Sequence, residues 1–446
     1  MRDGPAPTLR QRDAVAVTVG IVLGAGIFRA PSLVAGGVDG PAMLVAVWVA
    51  GALIALAGAL CYAELAAAYP GPGGDYSYLR RAYGGRLAFL YAWARLAVIQ
   101  TGSIAVLAFV FGDYLAQVLP IGPAASPAYA ALAVVGVTAV NWAGVREGAR
   151  AQNWLTGLEV AGLLLVVVAG LLVAPEAAAA PSPAATGGGA SLGLVMVFVL
   201  LTYGGWNETA YLSAELGGDG SGGDGRGIGR VLVIGIAIIA GLYLLANLAY
   251  LRALGLAGMA NSDALAADVM RAAFGPRGAA LIAVAVAVAA LTSANATAIT
   301  GARSAYALGR DVPALAFLGR WHGPSGSPRN AVLAQGAVAL LMVGAGAFAR
   351  DGFQLAVEYT APVFWFFFLL VGAAVFLLRA REPDRPRPFR LPLFPFIPAL
   401  FCAANAYLLW SSLAYTGWGA LAGVAVLASG AALLPFLRPR SPEAEP

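Results

Sequence analysis

The sequence has 446 residues, of which 60% are hydrophobic and only 11% are charged. A soluble globular protein carries about 25% charged residues, so this chain has too little polar surface to be one. Its net charge of +5 comes from arginine without any lysine. Because the arginines gather in particular loops, we interpret them as signals of membrane orientation and expect no nucleic-acid partner.

Apolar stretches that approach the roughly 20 residues needed to cross a bilayer recur along the whole chain. We predict an all-α integral membrane protein with about 12 transmembrane helices. The predicted spans cover residues 14–37, 41–68, 88–119, 127–143, 153–174, 191–214, 229–251, 278–306, 331–349, 353–379, 393–413 and 418–437. Polar tails, 1–13 and 438–446, flank them, and we expect the first span to be retained, not cleaved as a signal peptide.

The arginines fix the predicted orientation. With an even number of spans both termini lie on the same side, and 21 of the 27 arginines then share that side while four lie opposite and two lie within spans. Arginine concentrates in cytoplasmic loops. We therefore predict a multi-pass protein of the cell (plasma or inner) membrane with both termini in the cytoplasm.

Glycine interrupts the first span within 20–31 and the sixth within 201–208. These spans occupy matching places if the chain consists of two five-helix halves, and interrupted segments at matching places point to a transporter site built from broken helices. A break leaves backbone N–H and C=O groups without helical partners. In hydrocarbon such groups need protein, water or ligand.

An amino acid has the charges that such a site would hold. Its carboxylate suits N–H groups at the start of a half-helix, and its ammonium suits freed carbonyls. The candidate substrate site therefore comprises Val22, Ala25, Gly26, Ile27, Leu201, Thr202, Tyr203, Gly204, Gly205 and Asn207. Glycines that serve only helix packing are the alternative interpretation.

Several segments resemble motifs of amino acid permeases in the amino acid–polyamine–organocation superfamily, and of bacterial L-type amino acid transporters in particular. In chain order they are 24–28 (GAGIF), 58–65 (GALCYAEL), 69–83 (YPGPGGDYSYLRRAY), 203–207 (YGGWN), 293–295 (SAN), Arg303, 310–311 (RD) and 381–398 with its RPFR core. Each match is modest evidence, whereas the ordered set is strong.

The resemblance implies a LeuT-type architecture, an inverted 5+5 repeat with discontinuous helices 1 and 6. The repeats would cover 14–175 and 191–380, with two peripheral helices in 391–437. It also implies secondary active transport of L-amino acids by alternating access, with the backbone roles described above. Symport and exchange both stay open.

Glu159 departs from the pattern of these relatives. By the resemblance it stands where they place a lysine whose ammonium occupies the position of a bound sodium ion, near Thr292 and Ser293. An ionisable group within a span is a functional-site candidate. Glu159 could carry a coupling proton, help to hold Na⁺, or lie wetted or ion-paired near the cytoplasmic end of its helix.

Four residues are candidate gates, namely Arg29, Glu208, Glu358 and Trp206. Arg29 lies just beyond the first break, and the resemblance to sodium-coupled relatives pairs it with an acid on helix ten, for which Glu358 is the candidate. Glu208 is the rival partner of Arg29, or it could bind a cationic substrate. Leu201 stands where relatives often carry a closing phenylalanine, so closure could instead rest on Tyr203 or Trp206.

No metal site, cofactor or enzymatic activity is predicted, since the sequence lacks a nucleophile–base set, a phosphate-binding loop and a metal cluster. The coupling ion would be H⁺, or Na⁺ as the alternative. The turn 120–127 has no cysteine, so we expect no disulfide-linked accessory subunit. A polyamine or organic-cation carrier, and a channel or receptor on the same fold, are the competing functions.

Overall fold

The computed structural model describes residues 11–70, 74–143, 149–173, 192–212, 226–322, 327–349, 351–415 and 417–436. Apart from one isolated β-bridge between His322 and Ser327, the regular structure in these ranges is helical. The α-helices are α1 Gln11–Val22, α2 Ala30–Gly36, α3 Pro41–Ala68, α4 Gly74–Tyr83, α5 Gly85–Ala94, α6 Gln100–Val118, α7 Ala125–Ala143, α8 Ala149–Leu172, α9 Leu192–Thr202, α10 Arg226–Ala260, α11 Leu265–Asp311, α12 Arg329–Ala347, α13 Gly352–Arg381, α14 Phe396–Tyr415 and α15 Trp418–Ala432.

Eight helical stretches in the described part of the chain are long and apolar enough to cross a bilayer. They correspond to predicted spans two, three, four and seven to eleven. The other four predicted spans are also helical but contain broken or shorter apolar helices. The chain is therefore a multi-pass membrane protein whose described ranges are helical, while the count of twelve spans and the inverted repeat stay predictions.

The two predicted breaks are present. In the first span α1 ends at Val22, a 3₁₀ turn covers Ala25–Phe28, and α2 follows. In the sixth, α9 ends at Thr202 and a 3₁₀ segment, Trp206–Leu212, continues the chain. The second break requires glycine, because Gly205 has a φ of 107°, which side chains with a Cβ rarely adopt.

The third predicted span contains a defect that the sequence pattern did not predict. Between α5 and α6 the chain makes a π-helical turn, Arg95–Ile99. Single π turns within helices are rare and occur frequently at functional sites. Here the turn begins at a buried arginine, Arg95.

Helices α10 and α11 extend beyond their predicted limits, 229–251 and 278–306. Each contains a bend at a glycine with positive φ, Gly255 at 66° and Gly275 at 68°. Pro276 follows Gly275 and has no N–H for the helical ladder. Each long helix is thus a membrane-length piece joined to a short additional helix.

The core around the second break is aromatic. Tyr203 packs between Trp48 of α3 and Tyr243 of α10, with ring centroids 5.8 and 5.1 Å away. Trp206 packs edge-on against Tyr62 at 5.1 Å. Such pairs contribute about 0.5–1.5 kcal/mol beyond the burial of their area. This packing holds both sides of the break in place.

Candidate functional site

The two breaks contact each other near the middle of the helices. A Cβ added to Gly26 would lie 3.5 Å from Thr202 Cγ2, and one added to Gly205 would lie 3.1 Å from Ile21 Cγ2. The distance at Gly26 is ordinary van der Waals contact, whereas the distance at Gly205 is shorter than a side chain normally allows, so only the second break depends on glycine for this approach. The segments predicted to form one substrate site are adjacent.

The first break supplies hydrogen-bond donors. The 3₁₀ turn starts at Ala25, and the first N–H groups of such a turn have no acceptor within it. Two of the three residues predicted to receive a carboxylate, Ala25 and Gly26, carry such N–H groups, whereas the 3₁₀ pattern pairs the Ile27 N–H with the Gly24 carbonyl. The backbone arrangement thus agrees with that chemistry.

The carbonyls at the breaks already have donors, which was not predicted. The Tyr243 hydroxyl lies 2.7 Å from Val22 O and 3.1 Å from Thr202 O. Leu201 O accepts from the Gly204 N–H at 3.1 Å. A tyrosine hydroxyl has one proton, so Tyr243 can donate to only one of its two carbonyls at a time. The other retains a free lone pair for a cationic group.

Two side chains proposed for closure point into the core. The Tyr203 hydroxyl donates to Trp48 O at 3.2 Å. Trp206 is 2% exposed and packs so closely on Gly58 that a Cβ there would lie 2.6 Å from its ring. We therefore assign both a packing role in this structure, whereas Leu201 is half-buried beside the break.

Glu159 lies inside the protein on α8. It is 5% exposed, and neither carboxylate oxygen has a hydrogen-bond partner at normal geometry. The Ser293 hydroxyl of α11 lies beside it and also faces Gly24 at the first break, where an added Cβ would be 4.0 Å away. Thr292, in contrast, bonds back to Val288 O of its own helix at 2.9 Å. Of the two predicted hydroxyls, only Ser293 adjoins the carboxyl.

Arg29 is buried at the other side of the first break, and its partners are not the predicted ones. Its Nη2 lies 2.6 Å from Asp351 and 3.1 Å from Asp263, and its Nε lies 3.7 Å from Asp113. The guanidinium also donates to Ser262 O at 2.9 Å. We call this group the Arg29 clamp. It joins α2 to α6, to the start of α11 and to the N-terminus of α13.

Both predicted partners of Arg29 lie elsewhere. Glu358 accepts from Gln354 one turn earlier in α13 at 2.8 Å and packs beside Gly419 of α15. Glu208 pairs with Arg95, whose Nη2 lies 2.9 Å from each carboxylate oxygen. The sequence did not distinguish these acids because distance along the chain says little about which helix ends meet.

Comparison with known proteins identifies the family. A family model described as an amino acid permease matches residues 9–428. The chain belongs to the amino acid permease family. This permease is 29% identical over 430 residues to the large neutral amino acids transporter small subunit 2 of Homo sapiens, covering 91% of this chain and 76% of that relative. It is 27% identical over 406 residues to the human b(0,+)-type amino acid transporter 1, covering 88% and 80%.

The resemblance inferred from the motifs is thereby confirmed. The permease is a member of the amino acid–polyamine–organocation superfamily, and its family and relatives are transporters, not enzymes. Amino acid transport is supported at this general level.

A second cluster of charged side chains lies around α4, the 3₁₀ segment 206–212 and the loop after α13. We call it the arginine-rich face. Glu64, near the end of α3, is buried there. Its carboxylate accepts hydrogen bonds from two guanidinium nitrogens of Arg379 and from the Leu391 N–H, the last at 2.7 Å. Arg81 of α4 donates to Glu382 at 2.8 Å, and this hydrogen bond lowers the pKa of Glu382.

A second buried acid on this face, Asp75, adjoins the sixth-span break. Its Oδ2 accepts from the Tyr91 hydroxyl at 2.6 Å and lies 3.5 Å from Asn207 Nδ2. Complete burial raises the pKa of Asp75, which the hydrogen bond from Tyr91 and the charge of Arg95 oppose. The predicted substrate residue Asn207 therefore faces an acid on α4.

Sequence reasoning missed Tyr243, Asp75, Arg95 and the three aspartates of the Arg29 clamp. Arg95 gave a usable signal, because an arginine within an apolar span is costly unless it is paired. Asp351 gave a weaker one, as the N-cap of α13 that accepts from the Gln354 N–H at 3.0 Å. Tyr243 gave none, since a tyrosine within a span is ordinary.

Proposed function

We propose that this permease is a secondary transporter that carries L-amino acids by alternating access and holds the substrate's head group at the two adjacent breaks. The contact between Gly26 and Thr202 is the observation that carries the proposal. It brings N–H donors of one break beside carbonyls of the other, and an amino acid presents a carboxylate and an ammonium at the corresponding short spacing.

The relatives support this substrate class, because their names specify large neutral and b(0,+)-type amino acid transport. Apolar packing at the breaks supports a neutral side chain. We further propose twelve spans in an inverted repeat, with the arginine-rich face and both termini in the cytoplasm of a cell membrane. The expectation of no disulfide-linked subunit stays part of this proposal.

Coupling to protons is the proposed energy source, with Glu159 as the carrier. An ionised carboxylate buried without a bonded partner is costly, and a bound proton or cation removes that cost. Sodium prefers several oxygen ligands, yet of the two predicted hydroxyls only Ser293 adjoins Glu159. This difference favours a proton over Na⁺, which is the second candidate.

The polyamine alternative has lost its support. It depended on Glu208 binding a cationic substrate, but Arg95 already offsets that charge at 2.9 Å. The channel and receptor alternatives predict no saturable counterflow. Stimulation of labelled uptake by unlabelled internal amino acid would therefore contradict both.

The test is uptake of a radiolabelled neutral amino acid mixture into proteoliposomes with an imposed pH gradient, a sodium gradient, or internal amino acids alone. We expect accumulation with the pH gradient alone. Glu159→Gln should reduce this accumulation at least about tenfold and spare exchange, because the amide cannot carry the proton. Glu358→Gln, a carboxyl that faces α15, is the matched control and should behave as the parent.

Uptake that occurs only against internal amino acids would make the permease an exchanger and return Glu159 to a structural role. Uptake driven by sodium alone would assign Glu159 to a cation site. A complete lack of saturable uptake of any amino acid would refute the substrate proposal itself.

A further inference from the structure

The 3₁₀ segment 206–212 follows the second break and is held differently on its two sides. Towards α1 it makes a neutral hydrogen bond, from Thr209 Oγ1 to Thr18 Oγ1 at 3.0 Å. Thr18 and Thr209 are both fully buried. Because α1 and 206–212 are the two half-helices that lead from the breaks to the arginine-rich face, this bond joins them as one unit.

Towards α4, α5 and the π turn, the same segment is held by charged groups. Arg95 is 4% exposed and contacts both oxygens of Glu208 at 2.9 Å. With the Gln100 amide oriented so that its oxygen faces Arg95, that oxygen accepts from Nη2 at 2.8 Å. The π turn positions Arg95 for these contacts, since it shifts the helix register at that residue.

Asp75 extends this network to α4. The Tyr91 hydroxyl accepts from Arg95 Nη1 at 3.2 Å and donates to Asp75 at 2.6 Å. Asp75 in turn lies 3.5 Å from Asn207, the neighbour of Glu208. Two consecutive residues of 206–212 are therefore attached to the same network, one through Arg95 and the other through Asp75.

We propose that Arg95 and Glu208, supported by Tyr91, Asp75 and Asn207, form a latch that keeps the pathway closed at the arginine-rich face. This inference rests on the proposed function, because a latch has a purpose only in an alternating-access transporter. Movement of α1 and 206–212 away from α5 separates Glu208 from a guanidinium buried in the protein. Separation of a buried pair is costly, so the latch favours the closed state.

The latch can be tested without transport. In a background of Cys61→Ala and Cys402→Ala, the reporter Ala210→Cys replaces a fully buried residue of the segment. The rate of its alkylation by a maleimide in proteoliposomes measures how often the segment opens. We expect Glu208→Gln and Arg95→Gln each to raise this rate about tenfold. This factor is smaller than that for a fully buried ion pair, because the Glu208 side chain is 25% exposed.

Two further variants control the result. The charge exchange Arg95→Glu with Glu208→Arg should bring the rate back towards that of the parent. Arg271→Gln, which removes an exposed ion pair with Asp268 elsewhere in the chain, should leave it unchanged. Gel filtration shows whether each variant is folded. If Arg95→Gln does not fold, Glu208→Gln decides the outcome. Glutamine has nearly the shape of glutamate and still offers Arg95 a hydrogen-bond acceptor.

Rates within twofold of the parent in both single variants would overturn the latch. An equal rise in Arg271→Gln, or a charge exchange as fast as the single variants, would also overturn it. Because alkylation needs neither substrate nor gradient, a permease that failed every uptake assay could still show the latch.

Discussion

Two buried arginines lie beyond the breaks in opposite directions, and they are neutralised in different ways. Arg29 is surrounded by three aspartates from separate elements, and one of them, Asp263, has a side chain that is 77% exposed. Arg95 bonds to the carboxylate of Glu208 and to the neutral groups of Tyr91 and Gln100, and Tyr91 connects it to Asp75. The clamp thus gathers three carboxylates directly around one cation, whereas Arg95 contacts Glu208 directly and reaches Asp75 through a neutral hydroxyl.

The two arginines therefore differ in how much they depend on any one acid. Loss of one aspartate leaves Arg29 with two others, but loss of Glu208 takes away the carboxylate bonded to Arg95. We therefore expect the loss of one acid to have a smaller effect in the clamp than at the latch.

Removal of Arg29 should have the largest effect. Arg29→Gln leaves three aspartates facing one another without their cation, and like charges in a buried site repel strongly. Initial uptake in proteoliposomes should fall by about 100-fold, the lower end of the cost of breaking a buried pair. Arg29→Lys should recover part of the rate. An unchanged rate in Arg29→Gln would contradict a role for the clamp in transport.

Tyr243→Phe tests the region between the Arg29 clamp and the latch. The variant deletes the hydroxyl that lies against Val22 O and Thr202 O and preserves the ring packing. We expect a loss of about 1 kcal/mol in substrate binding, or roughly fivefold in Kd, because the hydroxyl that connects the carbonyls of the two breaks no longer holds them in position. Scintillation proximity binding measures it. Tyr250→Phe on the same helix is the control, and equal effects in both variants would refute a site-specific role.

The three aspartates of the clamp should differ among themselves. Asp351 is only 2.6 Å from Arg29 and caps α13, whereas Asp263 is 3.1 Å away and mostly exposed. Asp351→Asn should therefore lower the uptake rate two- to fourfold, consistent with about 0.5–1 kcal/mol, because asparagine still caps the helix but no longer offers Arg29 a charged acceptor. Asp263→Asn should change it by less than about twofold. The reverse order would show that exposure does not govern the clamp.

The smallest effect is expected at the exposed ion pair of the arginine-rich face. The hydrogen bond from Arg81 lowers the pKa of Glu382, so its stabilisation is complete above the unfolded-state pKa of about 4.5 and is lost as pH falls through the lower folded-state value. Since Arg81 is largely exposed, the contribution stays below about 1 kcal/mol. The melting temperatures of the parent and Glu382→Gln should therefore differ slightly at pH 7 and converge as the pH falls well below 4.5. A difference in melting temperature that stays constant down to low pH would contradict this prediction.

Much of the fold could be predicted because the bilayer imposes simple rules on length and polarity. The limits of α3 coincide with the predicted span 41–68, and α7 ends at the predicted residue 143. Both breaks were also predictable, because glycine allows backbone angles that other residues avoid. The π turn at Arg95 and the bends at Gly255 and Gly275 were not predicted, since neighbouring helices decide whether a glycine bends a helix.

Of the site, the backbone groups could be predicted and the side-chain partners could not. Gly26 and Thr202 meet as expected of two matching breaks, yet Arg29 bonds to Asp351 and not to Glu358, seven residues later in the same chain segment. An arginine side chain is long enough to reach several helix ends. Which acid it meets depends on the rotation and depth of α13, which no local pattern encodes.

Composition, ordered motifs and glycine act locally, so the amino-acid sequence was sufficient to predict that this protein lies in a membrane, which family it belongs to and where two of its helices break. The tertiary structure alone decided that Tyr243 covers the carbonyls at the breaks, that Glu159 is buried beside Ser293 without a bonded partner, and that Glu208 meets Arg95. These facts depend on distances between segments up to hundreds of residues apart, and only the packing of whole helices establishes such distances.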